Sequence, residues 1–207
     1  MKLWVAATVA VVVLAATGRA DAEDPRAFIQ ETADQVLGVL KNPRLDSDAK
    51  IAAIEKIAYA RFDFDTISRL VLARNWRKLT PEQRERFTRE FKKHLSVTYG
   101  KNVDSYANET IEIIGDREDP RGDHTVQTRI VRGSRAEDIL VDYRLRPKDG
   151  RWRVIDVVVE RISLVSNFRS QLQEIISRDG IETMLEMLAK KNASGESLLP
   201  EDARGPS

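Results

Sequence analysis

The sequence predicts an α+β domain in which helices precede and follow an antiparallel sheet of about four strands. Apolar residues recur every three or four positions before Asn108, alternate with polar residues from there to about Val154, and return to helical spacing after Ser166. One-sided alternation is typical of antiparallel strands that have one face toward solvent. We therefore expect a curved sheet whose apolar face is covered by the N- and C-terminal helices.

Four helical segments are predicted before the sheet. The first begins at Pro25 and ends at Asn42-Pro43, because a residue that precedes proline disfavours helical backbone. Ser47 is expected to cap the second helix, and the third lies within the apolar segment 62–72. Thr80-Pro81-Glu82-Gln83 gives the clearest helix start, since the threonine can cap and the glutamine can reach back to the cap amide.

Turn-forming residues separate the four alternating segments of the sheet. They lie at Asp119–Gly122, Gly133-Ser134 and Pro147–Gly150. In the last strand the apolar positions change phase near Asp156. A β-bulge, a strong bend or a strand covered on both faces would each produce this slip.

Two further helices are predicted after the sheet. Ser166 is expected to cap the first of them, and Gly180 separates it from the second. From Asn192 to Ser207 the chain is rich in Gly, Pro, Ser and acidic residues and has little apolar surface to bury. We therefore expect a disordered C-terminal tail over residues 192–207.

The first 22 residues have the pattern of a secretory signal peptide. A basic start at Lys2 is followed by the apolar run 3–16 and by Ala20-Asp21-Ala22, an A-x-A cleavage site. The run is shorter than the roughly 20 residues that a membrane-spanning helix requires. We expect cleavage after Ala22, a periplasmic location and one folded domain over residues 23–191.

The composition excludes several classes of function. The 207-residue chain has 34 basic and 33 acidic residues, so its charge gives no reason to expect nucleic-acid binding. It has no cysteine and only two histidines, His94 and His124, which argues against disulfides, Fe–S clusters and multi-histidine metal centres. We expect no cofactor and no metal site.

Two charged clusters are candidate sites. Asp63 and Asp65 would suit phosphotransfer chemistry only after a buried strand, and the residues before them have helical spacing, so Asp63 is interpreted as a helix cap. A basic cluster surrounds Trp76, and it is either a solvated surface or a contact for lipid phosphates or an acidic partner: Arg69, Arg74, Arg77 and Lys78. Neither cluster provides a catalytic set, and we expect the protein not to be an enzyme.

Residues 70–87 read LVLARNWRKLTPEQRERF, and residues 156–171 read DVVVERISLVSNFRSQ. These two segments resemble the "LGxxWRxATPEQRxxF" and "DVxxEGVSLVxNYRxQF" motifs of the MlaC family, also called toluene-tolerance or auxiliary transport components, which includes hopanoid-cluster relatives. The resemblance extends from about Pro25 to Lys191. This chain has Ala73 and Arg161 where the family usually has glycine, a residue that often marks unusual backbone angles.

The resemblance implies an NTF2-like fold and a periplasmic phospholipid carrier. The acyl tails would lie in a cavity between sheet and helices, with the head group near the mouth. Family members pass lipid between an outer-membrane lipoprotein–porin complex and an inner-membrane ABC transporter with an MCE-domain ring. The moving parts are expected around residues 62–76 and 163–165.

Apolar residues expected to face inward are the candidates to contact the two acyl tails. The pattern alone does not establish whether the space they enclose is filled or hollow. The candidates are Val36, Leu40, Phe62, Ile67, Val71, Trp76, Phe87, Phe91, Tyr99, Ile130, Val141, Tyr143, Val154, Val157, Val159 and Val165.

Three alternatives remain open at this point. The cargo could be a hopanoid or another apolar lipid instead of a phospholipid. An NTF2-like enzyme acting on a small hydrophobic substrate would need a polar pair within the cavity, for which the only candidates are Asp142, Asp156 and His124. An adaptor with a filled core would only dock two membrane complexes.

Overall fold

The computed structural model describes residues 23–100, 103, 106–133 and 137–199. The predicted signal peptide lies outside these residues. The helices are α1 (Pro25–Leu40), α2 (Ser47–Arg61), α3 (Phe64–Leu72), α4 (Pro81–Tyr99) and α5 (Leu164–Ser194), with short 3₁₀ turns at Ala73–Lys78 and Pro120–Gly122. The strands are β1 (Thr110–Glu118), β2 (His124–Val131), β3 (Ile139–Lys148), β4 (Arg151–Val159) and the two-residue β5 (Ile162–Ser163).

Side-chain caps define where the helices begin. Thr80 and Gln83 form the predicted capping box at α4, with N–O distances of 3.2 and 3.1 Å. Asp63 caps α3 as expected, accepting the Thr66 amide at 3.1 Å.

Two other predicted caps are wrong. Asp46, not Ser47, caps α2 through the Ala49 amide, and Ser163, not Ser166, caps α5. A capping side chain in extended backbone stands just before each of these two helices, so the predicted serine lies inside the helix.

The strands form one antiparallel sheet in the order β1-β2-β3-β4-β5, which confirms the predicted meander. The phase slip in β4 is a β-bulge. Arg144 pairs with Asp156 while the next residue, Leu145, pairs with Val154, so Ile155 is the extra residue. Because of the bulge, Val154, Ile155 and Asp156 are all buried.

The buried apolar residues form two separate clusters. We call the first the helical core; it packs α3, α4 and α5 together, and its centre is the aromatic set Phe87, Phe91 and Phe168. The second, the sheet core, packs α1 onto the strands through Phe28, Ile29, Val126, Leu145 and Val154. Phe62, at the end of α2, contacts both clusters.

The end of the chain departs from the predicted tail. Helix α5 continues to Ser194, and Asn192 and Leu199 are buried, so the prediction of disorder from Asn192 is wrong as far as Leu199. The buried His94 ring explains this packing, because it hydrogen-bonds the Asn192 side chain and accepts the Leu198 amide. The rest of the predicted tail, residues 200–207, lies outside the described part of the chain.

The two positions at which the resembled family usually has glycine both have positive φ. Ala73, which ends α3, has φ 46° and ψ −120°, and Arg161, in the turn between β4 and β5, has φ 68°. Glycine adopts such angles without steric cost, whereas a side chain at Cβ is strained there. No helix among the described residues has the length and apolar character needed to cross a bilayer.

Candidate functional site

An apolar cavity of about 240 Å³ lies between α2, α4 and the end of β4. It is open at one side. Its wall is almost entirely hydrocarbon, with one acidic and one basic side chain at the edge. The lining residues are Ile51, Ile54, Glu55, Ala58, Tyr59, Phe62, Phe64, Lys92, Leu95, Ser96, Tyr99, Gly100, Val103, Val157 and Leu164.

A second apolar cavity of about 180 Å³ lies between α1, α2 and the sheet. Burial raises the pKa of the Tyr143 phenol, which is part of this wall, to about 12, so the side chain is neutral at physiological pH. The lining residues are Ile29, Thr32, Ala33, Val36, Ile54, Ile57, Ala58, Phe62, Ile111, Tyr143 and Val154.

Helix α2 forms a common wall of the two cavities. Ile54, Ala58 and Phe62 line both of them. None of the side chains of α2 is fully buried, although the helix carries three isoleucines. In contrast, α3 buries Ile67, Ser68, Val71 and Leu72. Helix α2 is therefore held by fewer close contacts than its neighbours, and apolar space adjoins it on two sides.

A narrow void of about 30 Å³ continues from Phe62 and Val157 toward the helical core. Asp156 lies beside it, and both of its carboxylate oxygens accept hydrogen bonds, from the Ser163 hydroxyl at 2.6 Å and from the Val165 amide at 3.1 Å. These bonds hold the start of α5 against β4. Asp156 thus has a positioning role that accounts for its burial.

A polar basin of about 270 Å³ adjoins the first cavity. Tyr59, Phe62, Phe64 and Lys92 line both the cavity and the basin, which is completed by Asp63, Asp65, Thr88, Lys148 and Arg153. Burial alone would raise the pKa of Asp63, but hydrogen bonds from Thr66 and Lys148 outweigh it and lower that pKa. The ammonium of Lys148 lies 3.0 Å from the Asp63 carboxylate.

The other enzyme candidates are placed apart from the cavities. His124 pairs with Asp116 at 2.8 Å on the β1–β2 edge, and Asp142 lies in β3 between strands β2 and β4. Among the described residues no group of three His, Asp or Glu side chains is arranged to hold a metal ion.

Ten of the sixteen predicted tail-contact residues line at least one of the three apolar spaces. Phe62 and Val157 line more than one space, and the other eight line one each. Tyr99 lines the first cavity, and Val36, Tyr143 and Val154 line the second. The narrow void takes four more: Ile67, Val71, Phe91 and Val165.

The remaining six line none of these three spaces within the described part of the chain. Phe87 is fully buried in the helical core, and Trp76 packs on its outside, with the guanidinium groups of Arg69 and Arg84 at 5.9 and 5.5 Å from its ring centre. The others lie at a helix end or on strands away from the cavities: Leu40, Ile130, Val141 and Val159.

The sequence interpretation missed the wall contributed by α2. Ile51, Ile54 and Ile57 recur at helical spacing in the second predicted helix, but they are not among the predicted tail-contact residues although they line the cavities. The available signal was their spread around the helix, because apolar residues on more than one face indicate contacts on more than one side. Lys92, the basic residue that lines the first cavity, has no comparable signal in the sequence.

Comparisons with known proteins place the chain in context. The sequence model of the family described as MlaC protein matches residues 30–190. The chain is 29% identical over 164 residues to the toluene tolerance protein ttg2D of Pseudomonas putida, covering 77% of this chain and 76% of that protein. It is 26% identical over 120 residues to the intermembrane phospholipid transport system binding protein MlaC of Haemophilus influenzae, covering 56% of this chain and 55% of that protein.

A solved structure has the same fold. The phospholipid-binding protein of Ralstonia solanacearum, determined in complex with a phospholipid, superposes with a TM-score of 0.75 at 24% identity, covering 83% of this chain and 98% of that one. The likeness confirms the fold class predicted from the sequence, an NTF2-like α+β arrangement of helices on a curved antiparallel sheet.

Proposed function

This chain belongs to the MlaC protein family, and from that premise we propose that it is a non-enzymatic carrier that holds a phospholipid by its acyl tails. The observation that supports this proposal most directly is the pair of adjoining apolar cavities with a common wall at Ile54, Ala58 and Phe62. The related protein of Ralstonia solanacearum was solved in complex with a phospholipid.

The physical chemistry of phospholipids explains why such a carrier needs an interior of this kind. Each buried methylene contributes about 0.8 kcal/mol, so two tails of about 15 methylenes hold a lipid in its membrane by roughly 20 kcal/mol or more. A lipid therefore does not cross an aqueous space at a useful rate by itself. A protein that offers comparable hydrocarbon burial removes this barrier without any covalent chemistry.

Two cavities suit a ligand that has two tails. Each is smaller than the roughly 300–1,000 Å³ of an ordinary ligand pocket, so loading requires them to widen or merge. Helix α2 is the element best placed to move, since it borders both cavities and has no fully buried side chain. The segments around 62–76 and 163–165 are less suited, because α3 and the start of α5 are well packed.

The location and partners proposed here follow from the family. Residues 1–22 would be removed as a signal peptide, and the domain over 23–191 would work in the periplasm. There it would exchange lipid with an inner-membrane MCE-domain ABC transporter and an outer-membrane lipoprotein–porin complex.

The proposal is tested by purifying the exported protein without denaturant and recording native mass spectra. We expect one phospholipid to accompany each chain. Extraction and identification of the lipid separates a phospholipid from a hopanoid-like cargo. A protein that carries no lipid and takes none from vesicles would contradict the proposal.

A matched pair of substitutions connects the cargo to the cavities. Ala58→Trp places a large ring in the wall of both cavities, and we expect lipid occupancy to fall several-fold. Ala52→Trp makes the same change on the exposed side of α2 and should leave occupancy unchanged. Equal occupancy in the two variants would show that the tails lie elsewhere.

A further inference from the structure

Lys92 lies at the boundary between hydrocarbon and water. It is half-buried on α4 and lines both the first cavity and the polar basin. Its ammonium is 3.4 Å from the centre of the Tyr59 ring and 5.3 Å from that of Phe64. These rings favour a cation but accept only part of its hydrogen-bonding capacity, because an ammonium has three N–H donors.

The other basic groups of the basin already have partners within the protein. Lys148 pairs with Asp63 at 3.0 Å, and a guanidinium nitrogen of Arg153 donates to the Ala60 carbonyl. Across the described residues, no carboxylate lies within ion-pairing distance of the Lys92 ammonium. Lys92 can therefore receive an external anion without breaking an ion pair. Among the same residues Arg153 forms no ion pair either, but it lines the basin and not the first cavity, so Lys92 is the basic group placed where the two spaces meet.

The acidic side of the basin shows the same contrast. Asp63 is buried and neutralised by Lys148, whereas Asp65, in the first turn of α3, is exposed. Within the described part of the basin, Lys92 and Arg153 carry positive charge that no carboxylate pairs with, and Asp65 carries an exposed negative charge. Of the two cations, Lys92 is the one that also lines the apolar cavity. A ligand group that carries both a phosphate and an ammonium complements Lys92 and Asp65.

The basin adjoins the first cavity, because Tyr59, Phe62, Phe64 and Lys92 line both of them. In a phospholipid the phosphate is joined to the acyl tails by a short glycerol linker. A tail in the first cavity would therefore bring the phosphate into the basin. Thr88, one helical turn before Lys92 on α4, adds a hydroxyl donor on the same side.

On these grounds, and resting on the proposed function, we infer that Lys92 binds the head-group phosphate and that Asp65 favours a head group with an ammonium. Tail burial provides most of the affinity for any two-tailed lipid. The basin adds a modest preference, because ion pairs open to solvent contribute little. Phosphatidylethanolamine should therefore bind about three- to five-fold more tightly than phosphatidylglycerol with the same tails.

The experiment compares three ligands that have identical tails. Mature protein purified from the periplasm and stripped of lipid is titrated with phosphatidylethanolamine, phosphatidylglycerol and diacylglycerol in mixed micelles. Lys92→Gln should weaken both phospholipids about three- to five-fold and leave diacylglycerol unchanged. Lys92→Arg, which keeps the charge and the ring contacts, should restore most of the binding. Lys93→Gln removes an exposed charge one position away and serves as the matched control.

The second arm tests Asp65. Asp65→Asn should reduce or abolish the preference for phosphatidylethanolamine by improving the binding of phosphatidylglycerol. Inorganic phosphate titrated alone, followed by the chemical shifts of labelled lysine, should not bind measurably. Tight binding of free phosphate at Lys92 would overturn the assignment to a lipid head group.

The outcomes separate this inference from the proposed function. Equal weakening of diacylglycerol and phospholipids by Lys92→Gln would overturn the phosphate assignment and leave the carrier function intact, since it would indicate a damaged cavity. Unchanged binding of all three ligands would also overturn it. Failure of the wild-type protein to bind any of the three would contradict the carrier function itself.

Discussion

The helical core and the cavity region use similar residues in different ways. In the helical core, Phe87, Phe91 and Phe168 have at most 1% of their surface exposed and contact one another with ring centroids 5.1–5.4 Å apart. Around α2, three isoleucines and Tyr59 border two empty apolar spaces, and no side chain of the helix is fully buried. The chain thus packs α3, α4 and α5 closely and leaves apolar space on two sides of α2.

This difference separates stability from function in the fold. Protein interiors are normally close-packed, and unfilled apolar volume sacrifices dispersion contacts. The close-packed helical core and sheet core offset this loss beside α2. Substitutions in the first region should therefore act on stability, and those in the second on ligand binding.

The largest expected effect compares truncations in the two regions. Phe168→Ala should destabilise the lipid-free protein by about 3–5 kcal/mol, as is typical for a fully buried phenylalanine. Ile54→Ala should cost less than about 1.5 kcal/mol, since the side chain is half-buried beside existing cavities. Urea denaturation of both stripped variants measures this difference, and similar losses would refute the distinction between a filled and a hollow region.

Phe62 is the residue at which the two regions meet. Its ring lines both cavities, the narrow void and the basin, so Phe62→Ala should join these spaces at a cost of about 2 kcal/mol. We expect the variant to retain lipids with longer or bulkier tails than those found in the wild type. Native mass spectrometry of the two proteins from the same cells provides the measurement. An identical distribution of bound lipids would contradict the idea that the Phe62 ring separates these spaces.

The sequence was sufficient to predict most of the helices and strands of this molecule. Helical spacing, the Thr80 capping box and the alternating strands each have a local cause, and the β4 phase slip corresponds to a bulge at Ile155. The predicted cavity residues are partly displaced toward the helical core, as Phe87 and Trp76 show. An apolar pattern specifies which face is turned inward but not whether neighbouring elements fill the space in front of it.

Polar contacts between residues far apart in the chain also have no local sequence signal from which they could be predicted. Nothing near Asn192 indicates that its side chain meets His94 or that Leu199 enters the helical core. Lys92 could not be distinguished from Lys93 without the packing that places one beside Tyr59 and leaves the other exposed. In contrast, the two missing family glycines indicated unusual backbone geometry, and both positions have it.

Those two positions provide the next prediction, which concerns strain within the packed scaffold. Ala73→Gly and Arg161→Gly should each stabilise the protein by about 1 kcal/mol, because a residue with Cβ is strained at φ 46° and 68°. Arg74→Gly is the control, since Arg74 does not have positive φ and should lose stability instead. Thermal unfolding of the three variants decides the matter, and destabilisation by the first two would show that their side-chain contacts outweigh the strain.

The smallest expected effect is a pH dependence confined to the helical core. His94 accepts the Leu198 amide at Nε2, 3.0 Å away, so the neutral ring carries its proton on Nδ1, which donates to Asn192 at 2.8 Å. Burial lowers the pKa of His94 from 6.5; the nearby Lys191 charge acts in the same direction, and the Asn192 hydrogen bond opposes it. Protonation of the ring would place a hydrogen on Nε2, which could then no longer accept a hydrogen bond from the Leu198 amide.

Because the pKa of His94 is lower in the folded than in the unfolded chain, the unfolded state binds the proton more readily below about pH 6.5. Stability is therefore highest above that pH and falls as the pH drops through the folded pKa. The carboxylates with lowered pKa, such as Asp63 and Asp123, lose their contribution only under more acidic conditions, below about 3.8. The urea midpoint of the stripped protein should be lower at pH 5.5 than at pH 7.5, and His94→Gln should reduce that difference. Faster hydrogen exchange at Leu198 in acid, without loss of lipid, would assign the effect to the scaffold, whereas loss of cargo at pH 5.5 would show that the two regions are coupled.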